Sequence, residues 1–135
     1  MVDPALVKEW IEKADEDCRF AEVNLREGRD FYPQICFHFQ QAAEKYLKAV
    51  IVGYELEFRK THDLGRLLEI CMIKDPSFER IREDCEFLDG FYVDTRYPAH
   101  WPAHYTQEVG RKAHDAARRV RELVTGVLAD FLREK

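Results

Sequence analysis

One proline-broken stretch of the chain collects the residue types that could act on a phosphate. The segment D-T-R-Y-P-A-H-W-P-A-H-Y, residues 94–105, carries Arg96, His100 and His104. An arginine presents a planar fork of donors that suits phosphate oxygens. Histidines exchange protons near neutral pH, because their ordinary pKa is about 6.5. A base for a 2′-hydroxyl proton, an acid for the leaving oxygen and a cation would permit metal-independent RNA cleavage. We therefore identify Arg96, His100 and His104 as candidate catalytic residues.

The same stretch allows two other interpretations of its aromatic and basic residues. Tyr97, Trp101 and Tyr105 could stack on bases and place a nucleotide beside Arg96. These rings and the neighbouring prolines could instead pack the loop onto the rest of the fold, with Arg96 paired to a nearby acid such as Asp94. The spacing alone does not separate a binding loop from a packing loop.

A zinc site built on His100 and His104 is a third interpretation. A histidine pair at this spacing needs an intact helix, and Pro102 lies between the two residues. No cysteine or third histidine is close in sequence to complete a tetrahedral site. We therefore predict no metal and no cofactor.

A second candidate is the segment K-T-H-D-L, residues 60–64. A lysine and a histidine at the start of a helix could bind an anion, because helix N-termini attract negative charge. Lys60 and His62 are therefore candidate phosphate-binding residues, together with Lys45 on the preceding helix. The structural alternative is that Thr61 caps the helix while His62 or Asp63 hydrogen-bonds back to Gln41, Glu44 or Lys45.

The chain is organised around an apolar helix that the sequence predicts between Pro33 and Gly53. Proline suits a first helical turn, and glycine suits the position past a helix end. The apolar residues between them recur at three- and four-residue steps over most of the girth, which predicts a central helix. The polar residues fall on the remaining face, where Glu44 and Lys48 are spaced as a surface ion pair. These polar residues are Gln40, Gln41, Glu44, Lys45 and Lys48.

Caps and apolar periodicity predict the other helices. Asp3 and Pro4 start a first helix that runs to Gly28, and Thr61 starts a short third helix. A fourth helix is predicted from Pro76 to Val93. A last long helix follows Thr106. The sequence thus predicts an all-α fold, an up-and-down bundle of four to five helices.

Composition bounds the class of protein. The 135 residues predict one domain, residues 1–135, and the hydrophobic fraction of 46% with 35% charged residues predicts a globular fold. A net charge of −5 argues against binding nucleic acid through bulk charge, although the last thirty residues are net positive and should take part in any phosphate-facing surface. The sequence shows neither a membrane span nor a secretory signal pattern, and the four scattered cysteines predict buried thiols. We therefore expect a cytoplasmic protein.

The order of three motifs resembles the HEPN family, the higher eukaryotes and prokaryotes nucleotide-binding domain. The motifs are Q-Q-A-A-E-K-Y-L-K-A at residues 40–49, K-T-H-D-L at 60–64 and T-R-Y-P at 95–98. The resemblance covers nearly the whole chain and implies a helical bundle that forms a homodimer. It also implies a minimal nucleotidyltransferase as partner, in a toxin–antitoxin-like module.

The resemblance implies a nucleotide or RNA site at the homodimer cleft, with Arg96, Tyr97, Lys45, Lys60 and His62 as contacts. Many HEPN proteins are metal-independent ribonucleases with an Arg-x4–6-His motif. Here three residues separate Arg96 from His100 and seven separate Arg96 from His104, so neither histidine is in register. The R-Y-P form resembles a branch for which nucleotide binding or partner scaffolding is proposed. An endoribonuclease toxin and a protein-interaction scaffold therefore stay as alternatives.

Overall fold

Helices make up the regular structure, and the described part of the chain contains no strand. The computed structural model describes residues 2–96 and 105–133, with the backbone alone at 93–96. The helices are α1 (Pro4–Arg26), α2 (Tyr32–Gly53), α3 (Leu64–Lys74), α4 (Arg82–Arg96), α5 (Gln107–Val127) and α6 (Ala129–Leu132), and a 3-10 helix (Pro76–Ile81) precedes α4. The predicted all-α bundle is confirmed.

Side-chain caps confirm the predicted starts of the first and last long helices. The Asp3 carboxylate accepts the amide of Ala5 at 2.9 Å, and the Thr106 hydroxyl accepts the amide of Val109 at 3.3 Å. Gly28 follows α1 with a φ of +72°, in the left-handed region that glycine adopts without strain. Short polar side chains thus satisfy amides that a helix start leaves without partners.

Three boundaries differ from the prediction. Thr61 does not cap α3, because Asp63 accepts the amides of Gly65 and Arg66, while the Thr61 hydroxyl accepts the Asp63 amide. The predicted helix from Pro76 to Val93 begins as the 3-10 helix and continues as α4 to Arg96. The last predicted helix is interrupted at Leu128, where α6 begins a separate turn.

The second helix occupies the centre of the fold, as its all-round apolar pattern predicts. Of its 22 residues, 14 are buried, and it packs against α1, α3, α4 and α5. It runs antiparallel to α1. Val7 lies near Gly53 at one end of the pair, and Asp17 contacts His38 towards the other. The central helix is therefore in contact with four neighbouring helices.

The cysteine prediction is also confirmed, since all four thiols are buried and unpaired. Burial raises the pKa of Cys36 and of Cys71 to about 12. For Cys18, burial acts together with the charges of Glu22 and Asp15, and the pKa again rises to about 12. Thiols that stay protonated are poor nucleophiles and poor metal ligands. Within the described residues, no helix has both the length and the apolar character needed to cross a membrane.

Candidate functional site

The structure describes some of the predicted site residues and not others. Lys45, Lys60 and His62 are described, and Arg96 is the last residue of α4. Tyr97, His100 and His104 lie outside the described residues. The site can therefore be built from the K-T-H-D-L segment and from the C-terminal end of α4.

His62 is fixed at three points. Its Nδ1 lies 2.9 Å from Glu44 Oε1, and its carbonyl oxygen accepts the Gln40 side-chain amide at 3.2 Å. Its ring stacks on Tyr92 of α4, with centroids 4.3 Å apart and planes inclined by 16°. The predicted hydrogen bond from this segment back to the central helix is thus confirmed, with Glu44 as the partner. The side chain nevertheless stays 51% exposed.

Glu44 and Lys48 do not form the predicted surface ion pair. Their side chains are only 6% and 9% exposed, and Lys48 Nζ lies 2.9 Å from Glu44 Oε2. Residues beyond α2 cover them, since His62 closes over Glu44 and the ring of Phe58 lies 5.7 Å from the Lys48 ammonium. The predicted polar face of α2 is wrong in part, because Gln40 is also fully buried. Glu44 therefore carries a negative charge beneath His62, balanced by a buried ammonium.

The start of α3 does not offer the predicted anion site. Its first amides already have carboxylate partners. The Leu64 amide donates to Asp89 at 2.9 Å, and the Gly65 amide donates to Asp63 at 2.9 Å. These two acids would repel an incoming phosphate. Any phosphate contact in this segment must therefore come from the side chains of Lys60 and His62, and Lys60 is exposed.

The Lys45 ammonium already has a partner within the fold, the Asp17 carboxylate. Its Nζ lies 2.5 Å from one carboxylate oxygen of Asp17, and His38 Nδ1 lies 3.1 Å from the other. Burial alone would raise the pKa of Asp17, but the hydrogen bonds with His38 and Lys45 hold it below its ordinary value. The Lys45 charge is thus neutralised on the α1 side of α2. The described contacts do not link Lys45 to His62.

Tyr92, which the predicted site did not include, stacks on His62 from α4. It lies four residues before Arg96 in α4. Four residues span about 6 Å along a helix, which is roughly one turn. The signal available in the sequence was this one-turn spacing from the arginine. The structure thus brings His62, Glu44, Lys48 and Tyr92 together beside the helix that ends at Arg96.

The positive charge near the C-terminus is largely paired. Arg119 holds Asp84 through three contacts of 2.8 to 3.1 Å, and Arg121 lies 2.9 Å from Asp15. Arg118 and Lys112 pair with acids on α5 itself. These pairings leave less positive charge for phosphate than the sequence balance implied.

A groove of about 550 Å³ lies between the 3-10 helix and α5. Its walls carry charges of both signs, from Arg80 and Arg119 and from Asp75 and Glu122. None of the predicted site residues that the structure describes lines it. Among the described residues, no three potential metal-ligating side chains come together. The zinc interpretation of His100 and His104 falls outside the described residues.

Comparisons with known proteins show what the whole chain is similar to. The profile of the HEPN domain matches residues 7–127. A relative named "Putative toxin MJ1304", from Methanocaldococcus jannaschii, is 30% identical over 141 residues, which cover 95% of this chain and 89% of the relative. The crystal structure of TT1696 from Thermus thermophilus matches with a TM-score of 0.74 and 30% identity, over 89% of this chain and 96% of that one.

A second solved structure, ST0689, is described as an archaeal HEPN homologue. It matches with a TM-score of 0.73 and 28% identity, over 90% of this chain and 97% of that one. The profile match covers Glu44 of α2, His62 in the segment before α3, and Arg96 of α4.

Proposed function

The chain belongs to the HEPN family, and on that basis we propose that it binds a nucleotide or RNA at a homodimer cleft. In this proposal it acts with a minimal nucleotidyltransferase partner, in a toxin–antitoxin-like module. The name of the relative from Methanocaldococcus jannaschii, a putative toxin, supports the toxin–antitoxin context. The proposed contacts are Arg96, Tyr97, Lys60 and His62, with Lys45 as a more distant cation.

The stacked pair of His62 and Tyr92 at the end of α4 carries this proposal. Its rings lie 4.3 Å apart, and half of the His62 side chain remains exposed above a buried carboxylate. The exposed ring can stack on a base, and a protonated His62 could also donate a hydrogen bond from Nε2 to a phosphate oxygen. Arg96 follows one turn later, and a guanidinium can hold a phosphate through two parallel hydrogen bonds. The pair therefore supports a ligand that has both a ring and a phosphate.

Replacing Arg96 by alanine tests the proposal. A charge-assisted hydrogen bond contributes about 1.5–3 kcal/mol, so Arg96→Ala should weaken binding roughly 10- to 100-fold. The melting temperature should change little. Binding can be measured by isothermal titration with adenine, guanine, cytosine and uracil nucleotides, and by fluorescence anisotropy with single-stranded RNA.

A matched control is Arg80→Ala, which removes an exposed arginine from the groove beside α5. The proposal expects this variant to bind as the unmodified protein does. If Arg96→Ala instead lowers the melting temperature while binding is intact, Arg96 has a structural role. A neighbouring gene for a minimal nucleotidyltransferase, and a dimeric mass by light scattering, would support the proposed partner and assembly.

RNA cleavage is the second candidate function. The name of the putative toxin favours it, because the proposed toxin role would follow directly from cleavage of RNA. Arg96 would then stabilise the charge that develops on the phosphorane. Either His100 or His104 would be the base in the interpretation that the sequence first suggests.

A further inference from the structure

Three described histidines each contact a carboxylate through one ring nitrogen, and they differ in the exposure of their side chains. His38 contacts Asp17 through Nδ1, and His114 contacts Glu22 through Nε2 at 2.7 Å. His62 contacts Glu44 through Nδ1. The side chains of His38 and His114 are 33% and 32% exposed, whereas His62 is 51% exposed. His62 is therefore the most accessible member of this set.

The contacts of Glu44 fix the tautomer of His62. The carboxylate accepts a hydrogen bond from the Lys48 ammonium at 2.9 Å, so it is held as an acceptor. Nδ1 of His62 must then donate its proton to Glu44. In the neutral ring the lone pair is consequently on Nε2, and no described residue hydrogen-bonds to that atom. A carboxylate behind Nδ1 with a lone pair on Nε2 is the arrangement that general-base histidines use.

The ring is also held in place for this role. Tyr92 stacks on one face, and the Gln40 amide fixes the backbone carbonyl. The same carboxylate that sets the tautomer would stabilise the imidazolium formed when Nε2 gains a proton. A purely structural histidine does not need a half-exposed side chain, since its hydrogen bonds could be satisfied within the core.

From this geometry we infer that His62 is the general base of an RNA-cleaving site, with Glu44 as its positioning residue. The inference rests on the proposed RNA binding at the end of α4. In the reaction, Nε2 takes the proton of a ribose 2′-hydroxyl, and the 2′-oxygen forms a bond to the adjacent phosphorus. The bond from phosphorus to the 5′-oxygen breaks. The imidazolium returns the proton, through water, to that leaving oxygen. The products are a 2′,3′-cyclic phosphate and a 5′-hydroxyl.

The test uses the full chain, with a fluorescein-labelled single-stranded RNA of mixed sequence and its 2′-O-methyl copy. The unmodified protein should bind both and cleave only the first, because only the first has a 2′-hydroxyl. A positioned general base contributes about 10²- to 10⁴-fold, so His62→Ala should lower kcat at least about 100-fold. RNA affinity should fall far less than kcat, since Arg96 and Lys60 remain, and added imidazole should restore part of the rate.

Two further variants test the positioning residue and a matched histidine. Glu44→Gln keeps an acceptor for Nδ1 but removes the negative charge that also neutralises Lys48. It should be less stable, and under conditions where circular dichroism shows it folded it should lower kcat more than it raises KM. His38→Gln removes a histidine held in the same way by Asp17, and it should cleave at the unmodified rate.

Several results would overturn the inference. Equal cleavage by His62→Ala would exclude His62 as the base. A matching loss of RNA affinity without imidazole rescue would make His62 a binding residue only. If the unmodified protein binds the RNA but does not cleave it, the inference is wrong while the proposed binding stands. If it binds neither oligonucleotide nor any nucleotide, the proposed function itself is wrong.

Discussion

Removing the Lys48 ammonium tests whether the Glu44–Lys48 pair is a buried interaction. Lys48→Met keeps a side chain of similar length and removes only the charge. The two charged atoms lie 2.9 Å apart, which corresponds to a gross attraction of about 6 kcal/mol at an effective dielectric constant of 20. Desolvation offsets most of that attraction while the pair is intact. Breaking a buried pair, however, leaves one charge uncompensated, and we expect a loss of about 3 kcal/mol.

The same chain supplies a matched exposed pair. Glu108 and Lys112 have the same four-residue spacing and order, but their side chains are 77% and 64% exposed and 3.8 Å apart. Lys112→Met should therefore lower the free energy of unfolding by only about 0.4 kcal/mol. Both variants can be compared by urea unfolding, followed by circular dichroism at one protein concentration, because a dimer would make stability depend on concentration.

A double variant completes the measurement. The double variant Glu44→Gln, Lys48→Met has neither buried charge. Its loss in free energy of unfolding should therefore be smaller than the sum of the two single losses by about 2 kcal/mol. Equal losses for Lys48→Met and Lys112→Met would contradict a buried interaction between Glu44 and Lys48. The pair would then behave as the surface ion pair that its spacing alone predicts.

Two predictions concern pH and cell growth. Burial, with a further contribution from the neighbouring Asp63, raises the pKa of Asp89 to about 6 despite the opposing Leu64 amide. Between about pH 4 and pH 6, the folded state therefore keeps a proton that the unfolded state has lost. The free energy of unfolding falls as the pH rises through this range. In urea unfolding, Asp89→Asn should be more stable than the unmodified protein by about 1 kcal/mol at pH 7.5, a value reduced for solvent exposure, and equally stable at pH 4. An equal gain at both pH values would contradict this. If the chain is a ribonuclease toxin, cells that express it alone should stop growing, and harmless expression of the unmodified protein would contradict the toxin role. If a loop histidine is the base, cells that express the double variant His100→Ala, His104→Ala should grow.

The helices could be predicted because their signals are local. Asp3 with Pro4, and Thr106 before α5, combine a cap with the onset of apolar periodicity, and each side chain bonds an amide two or three residues on. Such interactions need no knowledge of the rest of the fold. The start of α3 was harder to predict, because Thr61 and Asp63 are both good caps only two residues apart.

A distant contact accompanies the cap that forms at α3. The Leu64 amide donates to Asp89 of α4. This hydrogen bond fixes the first turn of α3, which begins directly after Asp63. No local rule could include that carboxylate. The Glu44–Lys48 pair shows the same limit, since its spacing is identical whether the pair is covered or exposed. Burial of the pair depends on Phe58 and His62, which return over α2 from the following segment.

The family motif is defined by the number of residues between an arginine and a histidine. Counting from Arg96 to His100 or His104 assumes that a base for the reaction comes from the same loop. The fold instead brings His62 from an earlier segment into contact with Tyr92, one turn before Arg96. A catalytic constellation is defined by geometry and not by sequence order. The off-register spacing therefore does not by itself argue against proton transfer at this end of α4, because the fold supplies a carboxylate-held imidazole from elsewhere in the chain.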